Sequence, residues 1–401
     1  MKENLLRAVE EFINQRYNIR FNQVKGFFEW SNLITKKQGT CDNLFLNSLK
    51  RELNLCEIDV KKQDVKEIIY SDFATPYNPL QEYFTNLRTN YKSSIKDLAK
   101  TVITDNQDVF IEYFTKWLVS VVANIFNDEN CYNHTCLVLT GKQGAYKTTW
   151  LELLIPKHMK QYSFVGKINT NSKDVLSLLS EYWLINIDDQ LRQLNKKDEN
   201  ELKNLITAPY VRYRKPYDIN ISFYPHRASF CASVNNNDFL TDTTGNRRYL
   251  PFEVIDIDIN KAKDIDIDIV WKQAYDLYLD KSYKHYFEAN EVSIHNEKFE
   301  VITIEEQLIK EQYINPAKEE HNIKFIQPAL ILTHLQQYYQ TKLNLKKIGE
   351  AMHKLGYRKV QRTINEKRSW YYEVHFVHKN LQDTNSLEQA IEEIANKQLT
   401  I

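Results

Sequence analysis

LVLTGKQGAYKTTW, Leu137 to Trp150, is the stretch that decides how the chain is read. It opens on an apolar run, Leu137-Val138-Leu139, with Cys136 in front. A glycine-bearing turn, Gly141 to Tyr146, follows. Lys147-Thr148-Thr149 then leads into Trp150-Leu151-Glu152-Leu153-Leu154-Ile155, and Pro156 stops the run. This succession predicts a buried strand, a tight loop and a helix. Such a loop cradles phosphate. Its glycines let backbone N–H groups turn inward on an anion, the helix start adds a partial positive charge, Lys147 adds a full one, and the Thr148 hydroxyl can ligate Mg²⁺. The candidate nucleotide-binding set is therefore Gly141, Gln143, Gly144, Ala145, Tyr146, Lys147, Thr148 and Thr149. One residue departs from the usual G-x-x-x-x-G-K-[ST] pattern: Tyr146 stands where a glycine precedes the lysine. It must take a backbone conformation that glycine takes more cheaply. A plain strand-turn-helix with a chance lysine is the competing reading.

The chain has 401 residues, 42% of them hydrophobic, which is enough for two or three domains with a substantial core. Lys+Arg and Asp+Glu are equal at 53 each, so net charge says nothing about nucleic acid and any binding surface must come from local asymmetry. Cys41, Cys56, Cys131, Cys136 and Cys231 contain no Cys-x-x-Cys pair. Cys131, His134 and Cys136 lie close together but lack a fourth zinc ligand, so free thiols in a reducing cytoplasm are expected. MKENLLRAVEEF begins an amphipathic helix and not a signal peptide. Phe110 to Phe126 is the most apolar stretch, but it contains Glu112 and Lys116 and reads as a buried helix rather than a membrane span. A cytoplasmic protein with no membrane partner is expected.

Upstream of the loop, residues 1–75 read as a small α+β accessory region. It has a helix over Asn4 to Arg16, a strand pair around Lys25-Gly26, and helices at Phe45 to Leu53 and Lys62 to Ile69. Residues 76–130 read as a helical block, a collar for assembly or a lid on the core. Downstream, YWLINIDDQ, Tyr182 to Gln190, is an apolar strand ending in two carboxylates. A buried parallel strand of this kind delivers one carboxylate to the Mg²⁺ shell and a second to the attacking water. Asp188 is assigned to the metal and Asp189 to water activation, with capping of the next helix as the alternative. Tyr210 to Pro225 reads as a β-hairpin with arms Tyr210–Tyr213 and Ile219–Phe223 and a turn at Lys215 to Asp218. Its Arg212, Arg214 and Lys215, set among tyrosines, suit a single-stranded nucleic acid, or a solvated hairpin. Ser229 to Val234 is a buried strand ending in Asn235, whose amide can orient water against a γ-phosphate. Arg247-Arg248 precede another apolar run, where an arginine facing a neighbouring subunit's γ-phosphate would stabilise transition-state charge, with a surface arginine pair as the alternative.

The ordered set GKQGAYKTT, LINIDDQ, the hairpin bearing YRKPY, and SVNNNDFLTDTTGNRRYLPFEV resembles the virulence-associated protein E family. That family comprises P-loop ATPases of phages and mobile elements, similar to superfamily 3 helicases within the AAA+ class. The similarity covers roughly Asn78 to Glu305. Lys147 and Thr148 match Walker A, Asp188 and Asp189 Walker B, Asn235 the polar sensor, and Arg247 or Arg248 the arginine-finger region. The resemblance implies an α/β P-loop core with a mainly parallel sheet over residues 131–305, ATP and Mg²⁺ as cofactors, ring oligomers with a hexamer among them, and work on replicating DNA.

After a linker, residues 306–326, comes a unit of different character, residues 327–379. Two helices, Ala329 to Tyr339 and Leu345 to Leu355, precede a hairpin, Val360 to Asn365 and Trp370 to Phe376. This is the winged-helix arrangement, and it resembles the C-terminal domain commonly attached to the family. It carries ten Lys/Arg against three Asp/Glu. Lys346, Lys347, Lys354, Arg358, Lys359, Arg362 and Arg368 are candidate duplex-DNA contacts, with a protein-binding winged helix as the alternative. An acidic helix is expected within residues 380–401, over Ser386 to Lys397. The function these readings point to is an ATP-dependent DNA helicase or replication-initiation ATPase of a mobile element. Single-stranded DNA would occupy a central pore. The rivals are a DNA-binding initiator or regulator with a degenerate ATPase, and an AAA+ assembly switch in antiphage defence.

Overall fold

The computed structural model describes residues 3–88, 94–170, 172, 174–188, 191, 196–215, 220–235, 246–299, 302–316, 323–339, 342–364 and 367–377. They form a mixed α/β chain that divides into two units, Met1–Glu300 and Val301–Ile401.

Helix α1 (Glu3–Arg16) buries Val9, Phe12 and Ile13, the i, i+3, i+4 stripe of an amphipathic helix. β1 (Tyr17–Asn22) and β2 (Phe27–Asn32) pair antiparallel around Gly26, which takes φ +75°. β3 (Gln38–Thr40) extends β2, and β4 (Thr75–Tyr77) lies parallel to β1, giving the order β3-β2-β1-β4. α2 (Asn43–Leu55) and α3 (Lys62–Ile69) supply Leu46, Leu49, Leu53, Val65 and Ile69 to this small core. The sheet thus runs past residue 75, where a boundary was expected, because β1 finds its second backbone partner only in β4. The Asn22 amide donates to the Tyr162 hydroxyl at 2.8 Å and joins this small sheet to the rest of the first unit.

α4 (Pro79–Asn86) opens on Asn78, whose side chain accepts from the N–H groups of Leu80 and Gln81. α5 (Ile95–Ala99), β5 (Val102–Thr104) and α6 (Gln107–Phe126) follow. α6 is long and apolar enough to cross a membrane, yet Phe110, Phe114, Trp117, Leu118, Val121, Val122 and Ile125 are all sealed inside the protein. Each such side chain contributes roughly 1.5–3 kcal/mol on burial. The residues expected to form a collar or a lid on the core thus contribute to the main core.

That core packs on a six-stranded sheet. β6 (Cys136–Thr140), α7 (Lys147–Leu153), β7 (Ser163–Val165), α8 (Val175–Glu181), β8 (Leu184–Asp188) and α9 (Lys196–Thr207) alternate along the chain. The hairpin β9 (Tyr210–Tyr213) and β10 (Ser222–Pro225) interrupts them, and β11 (Ser229–Ser233) and β12 (Tyr249–Ile257) complete the sheet. The order is β5-β12-β6-β11-β8-β7, with only β5 antiparallel to its neighbour. Taken in chain order, the five parallel strands lie fifth, first, fourth, third, second. β6 and β11 are buried along their whole length, which is why both read as continuous apolar runs. α10 (Ile259–Lys263), α11 (Ile267–Leu279) and α12 (Ala289–Asn296) return over the core, and the Trp271 indole donates to the Leu154 carbonyl at 2.8 Å.

In the second unit, α13 (Ile304–Gln312), β13 (Tyr313–Ile314) and β14 (Lys324–Ile326) precede α14 (Pro328–Tyr338), α15 (Leu345–Lys354), β15 (Lys359–Ile364) and β16 (Lys367–Phe376). β16 pairs antiparallel with β13, β14 and β15. The two helices and hairpin follow the expected order, and α15 ends at Gly356 with φ +76°. The expected linker, residues 306–326, is instead structured where described: Leu308, Ile309, Tyr313 and Ile326 belong to this unit's core. The expected acidic helix lies outside the described residues.

Candidate functional site

β6 ends at Thr140 and the chain turns at Gly141, φ +128°, where an added Cβ would meet the Val254 carbonyl oxygen at 2.6 Å. Only glycine fits there. Gly144 takes φ +84° but has open space around its missing Cβ, so glycine serves the backbone conformation alone at that position. Tyr146 takes the left-handed conformation, φ 55° and ψ 19°, immediately before α7. This departure from the usual pattern therefore costs about 1 kcal/mol of backbone strain. Tyr146 is 55% exposed.

Lys147, only 5% exposed, turns back into the loop. Its Nζ donates to the carbonyls of Gly141 at 2.9 Å and Lys142 at 2.7 Å, and to Asn235 Oδ1 at 3.3 Å. The Thr148 and Ser233 hydroxyls share a hydrogen bond of 2.8 Å. Gln143 is exposed and Ala145 half-buried. Thr149 lines a cavity of about 810 Å³ with Leu153, His158, Ile265 and Asp266.

The parallel register sets these groups level. Ser233 pairs with Leu139 on one side and with Asp188 on the other. The glycine loop, Asn235 and the end of β8 therefore meet at the carboxyl edge of three adjacent strands, where open α/β sheets bind ligands. The backbone of Asp188 closes β8 at that level, whereas Asp189 lies outside the described residues. Sequence reasoning missed two neighbours. Ser233 meets Thr148, and Asn186 is 1% exposed with neither amide atom hydrogen-bonded. A lone asparagine inside the apolar LINID run was the available signal for the second. Among the described residues no three His, Cys, Asp or Glu side chains gather as metal ligands.

Arg247 and Arg248 lie elsewhere. They belong to a 3-10 turn just before β12, whose Tyr249 pairs with Cys136 at the start of β6. A five-residue strand spans roughly 17 Å, so the arginines stand at the sheet's amino edge, away from Lys147 of the same chain. They line a cavity of about 340 Å³ with Asn133, His134, Tyr286 and Glu288. Burial, with the charges of Arg247 and Arg248 added, holds the His134 imidazole below its ordinary range.

The basic candidates divide by environment. On the hairpin, Arg212 lies 4.4 Å over the Phe223 ring, Lys215 lies 4.6 Å over Tyr224, and Arg214 is exposed. The second arm is Ser222–Pro225, displaced from the expected Ile219–Phe223. The aromatic pairs Tyr210–Phe223 and Tyr213–Tyr224 set the register, and residues 216–219 of the turn are outside the described set. In the second unit, Lys354 is paired with the buried Glu306 at 3.0 Å and Arg358 with Glu373 at 3.7 Å. Lys346 meets Glu350 at 3.9 Å on an exposed helix face, and Lys347 is exposed. Arg362 stacks 3.7 Å over Phe325, Lys359 lies 5.5 Å from the Trp370 ring, and Arg368 donates to Gln361 Oε1 at 2.8 Å.

A mixed α/β chain with a glycine loop, a buried lysine and a polar amide at the carboxyl edge of parallel strands is the class that fold and site define. Within it, the chain belongs to the virulence-associated protein E-like domain family, whose sequence pattern matches residues 84–303. No curated protein sequence matches the chain. Its fold is similar to the apo C-terminal region of NrS-1, residues 305–718 of that protein. The TM-score is 0.56 at 10% identity, covering 94% of this chain and 100% of that one. A second apo form of the NrS-1 C-terminal region matches with a TM-score of 0.53 at 10% identity, over 93% of this chain and 99% of that one.

Proposed function

We propose that the chain is an ATP-hydrolysing P-loop protein of the AAA+ type that acts on DNA, as a helicase or replication-initiation ATPase of a mobile element. The observation that carries this reading is the hydrogen bond from Lys147 Nζ to Asn235 Oδ1. It joins the glycine loop to the neighbouring strand end at the carboxyl edge of the sheet. The fifth-first-fourth-third-second strand order supports it, since it leaves β6 between two strands that come later in the chain.

The residues fit a nucleoside triphosphate. The open space at Gly144 lets the loop backbone approach an anion, and Lys147 brings a buried positive charge. Mg²⁺-ATP, when bound, supplies the phosphoryl group that passes to water. The loop and Lys147 would hold the phosphates, Thr148 and Asp188 would hold the metal, Asp189 would polarise water and Asn235 would orient it. Arg247 and Arg248, at the far edge of the sheet, would serve a neighbouring copy in a ring. The hairpin bearing Arg212, Arg214 and Lys215 would face single-stranded DNA in the pore, and the basic second unit would hold duplex.

Turnover of ATP by the full chain, with and without single-stranded DNA, tests the reading beside Lys147→Ala. Turnover lost in the variant supports it. Hydrolysis without strand displacement on a forked substrate would favour an assembly switch. A second reading, a DNA-binding regulator whose ATPase has decayed, rests on the strained Tyr146. No turnover at saturating Mg²⁺-ATP with DNA binding intact would favour it.

A further inference from the structure

The hairpin β15–β16 outruns the core it stands on. Tyr372 and Val374 of β16 are buried, and the Tyr372 hydroxyl reaches the Gly349 carbonyl in α15 at 3.3 Å. Two residues further out on the same face, Trp370 is 50% exposed. The register pairs Lys359 with Tyr372, Gln361 with Trp370, and Thr363 with Arg368. In an antiparallel ladder paired residues share a face and alternate residues return to it. Lys359, Gln361, Thr363, Arg368, Trp370 and Tyr372 therefore line one side of the hairpin, with no acidic side chain among them. Lys359 Nζ lies 5.5 Å from the Trp370 ring and 5.8 Å from the Tyr372 ring, while Arg368 is held to Gln361 by a hydrogen bond of 2.8 Å.

From this geometry we infer that the outer face of the hairpin is a single-strand nucleic-acid platform, with a base stacked on Trp370 and phosphates on Lys359 and Arg368. An exposed indole between two cations matches what such a strand presents: a π-face on every nucleotide and a charge on every phosphate. Base pairs in duplex keep their faces covered, so a duplex can use the cations but not the ring. The excess of ten Lys/Arg over three Asp/Glu in residues 327–379 complements the partner's charge. The inference goes beyond the proposed ATPase reading and does not depend on ATP hydrolysis.

The experiment uses the full chain, a fluorescein-labelled oligo-dT and a blunt duplex of equal length, titrated over a range of salt concentrations. Trp370→Ala is expected to weaken oligo-dT binding roughly 5- to 150-fold, the range of one lost stacking contact. It should leave the duplex affinity and the salt slope unchanged, and Trp370→Phe should recover much of the loss. Lys359→Gln is expected to weaken both ligands and reduce the salt slope by about one. Trp370 is half exposed, so an unchanged unfolding midpoint is expected to show that the variant folds. Unaltered oligo-dT affinity in Trp370→Ala, or equal losses for single strand and duplex, would overturn the inference. A turnover assay on the same variants keeps it separate, since failure of the ATPase reading would leave these affinities as they are.

Discussion

At the scale of single residues, the loop separates two kinds of glycine requirement. Gly141→Ala drives a methyl group into the Val254 carbonyl on top of an unfavourable φ, whereas Gly144→Ala meets only the unfavourable φ. The first is expected to cost about 3 kcal/mol or more and the second about 1 kcal/mol, as read by urea unfolding of the two variants. Tyr146→Gly relieves strain but frees the unfolded chain, so it is expected to change stability by less than about 1 kcal/mol. The same experiment checks it. The loop was legible because glycine, lysine and threonine at fixed spacing have few other reasons to occur together. The roles of Ser233 and Asn186 were not, since a serine or asparagine in a strand signals nothing until a neighbouring strand supplies its surroundings. Lys354 looked like a phosphate contact because a sequence shows its charge and hides its partner, Glu306.

That pair belongs to the scale of elements, where it joins α15 to α13. Glu306 is 6% exposed, and Lys354 meets it at 3.0 Å. Removing the lysine strands a buried carboxylate. Lys354→Ala is therefore expected to destabilise the second unit by about 2 kcal/mol, discounted from the usual 3–5 because Lys354 is partly solvated. Much of the loss should return in Lys354→Ala/Glu306→Gln, as a double-mutant cycle in urea unfolding would show. Should Lys354→Ala weaken DNA binding without loss of stability, the structural assignment fails. Elements were legible where periodicity was long and unbroken, as in α6 and β6. They were obscured where register comes from aromatic pairing, as in β10, and where strands are too short to show a pattern. β13 has two residues and β14 three, so the stretch around them read as a linker.

Over the whole molecule, each unit carries a histidine that burial pushes far below its ordinary range. His226, fully buried with Nδ1 2.6 Å from the Ala208 carbonyl, is pushed by burial from 6.5 down to about 4. His334, hydrogen-bonded to the Tyr313 hydroxyl, is likewise pushed down to about 4 by burial. Between those values the unfolded chain takes up protons that the folded chain refuses. The stability each contributes is complete above pH 6.5 and is lost as pH falls toward 4, for His226 on the order of 3 kcal/mol. Unfolding midpoints recorded between pH 7 and 4 are expected to fall for both units, and His226→Gln should flatten the profile of the first. The division at residues 300 and 301 was less legible than the order of elements, because α13 at the start of the second unit is short and polar outside Ile304, Leu308 and Ile309.

The glycine loop and the arginine pair occupy opposite ends of one sheet. In the ATPase reading, a Lys147→Ala chain and an Arg248→Ala chain, each inactive alone, should regain turnover when mixed. Complementation fails if the arginine acts within its own chain. Head-to-tail contact also has a counting rule. A row of copies that stays open always wastes a loop at one terminus and an arginine pair at the other, so its working centres number one fewer than its members. Closing the row recovers the missing centre at a stroke, and specific activity should then climb with concentration in a step rather than a slope.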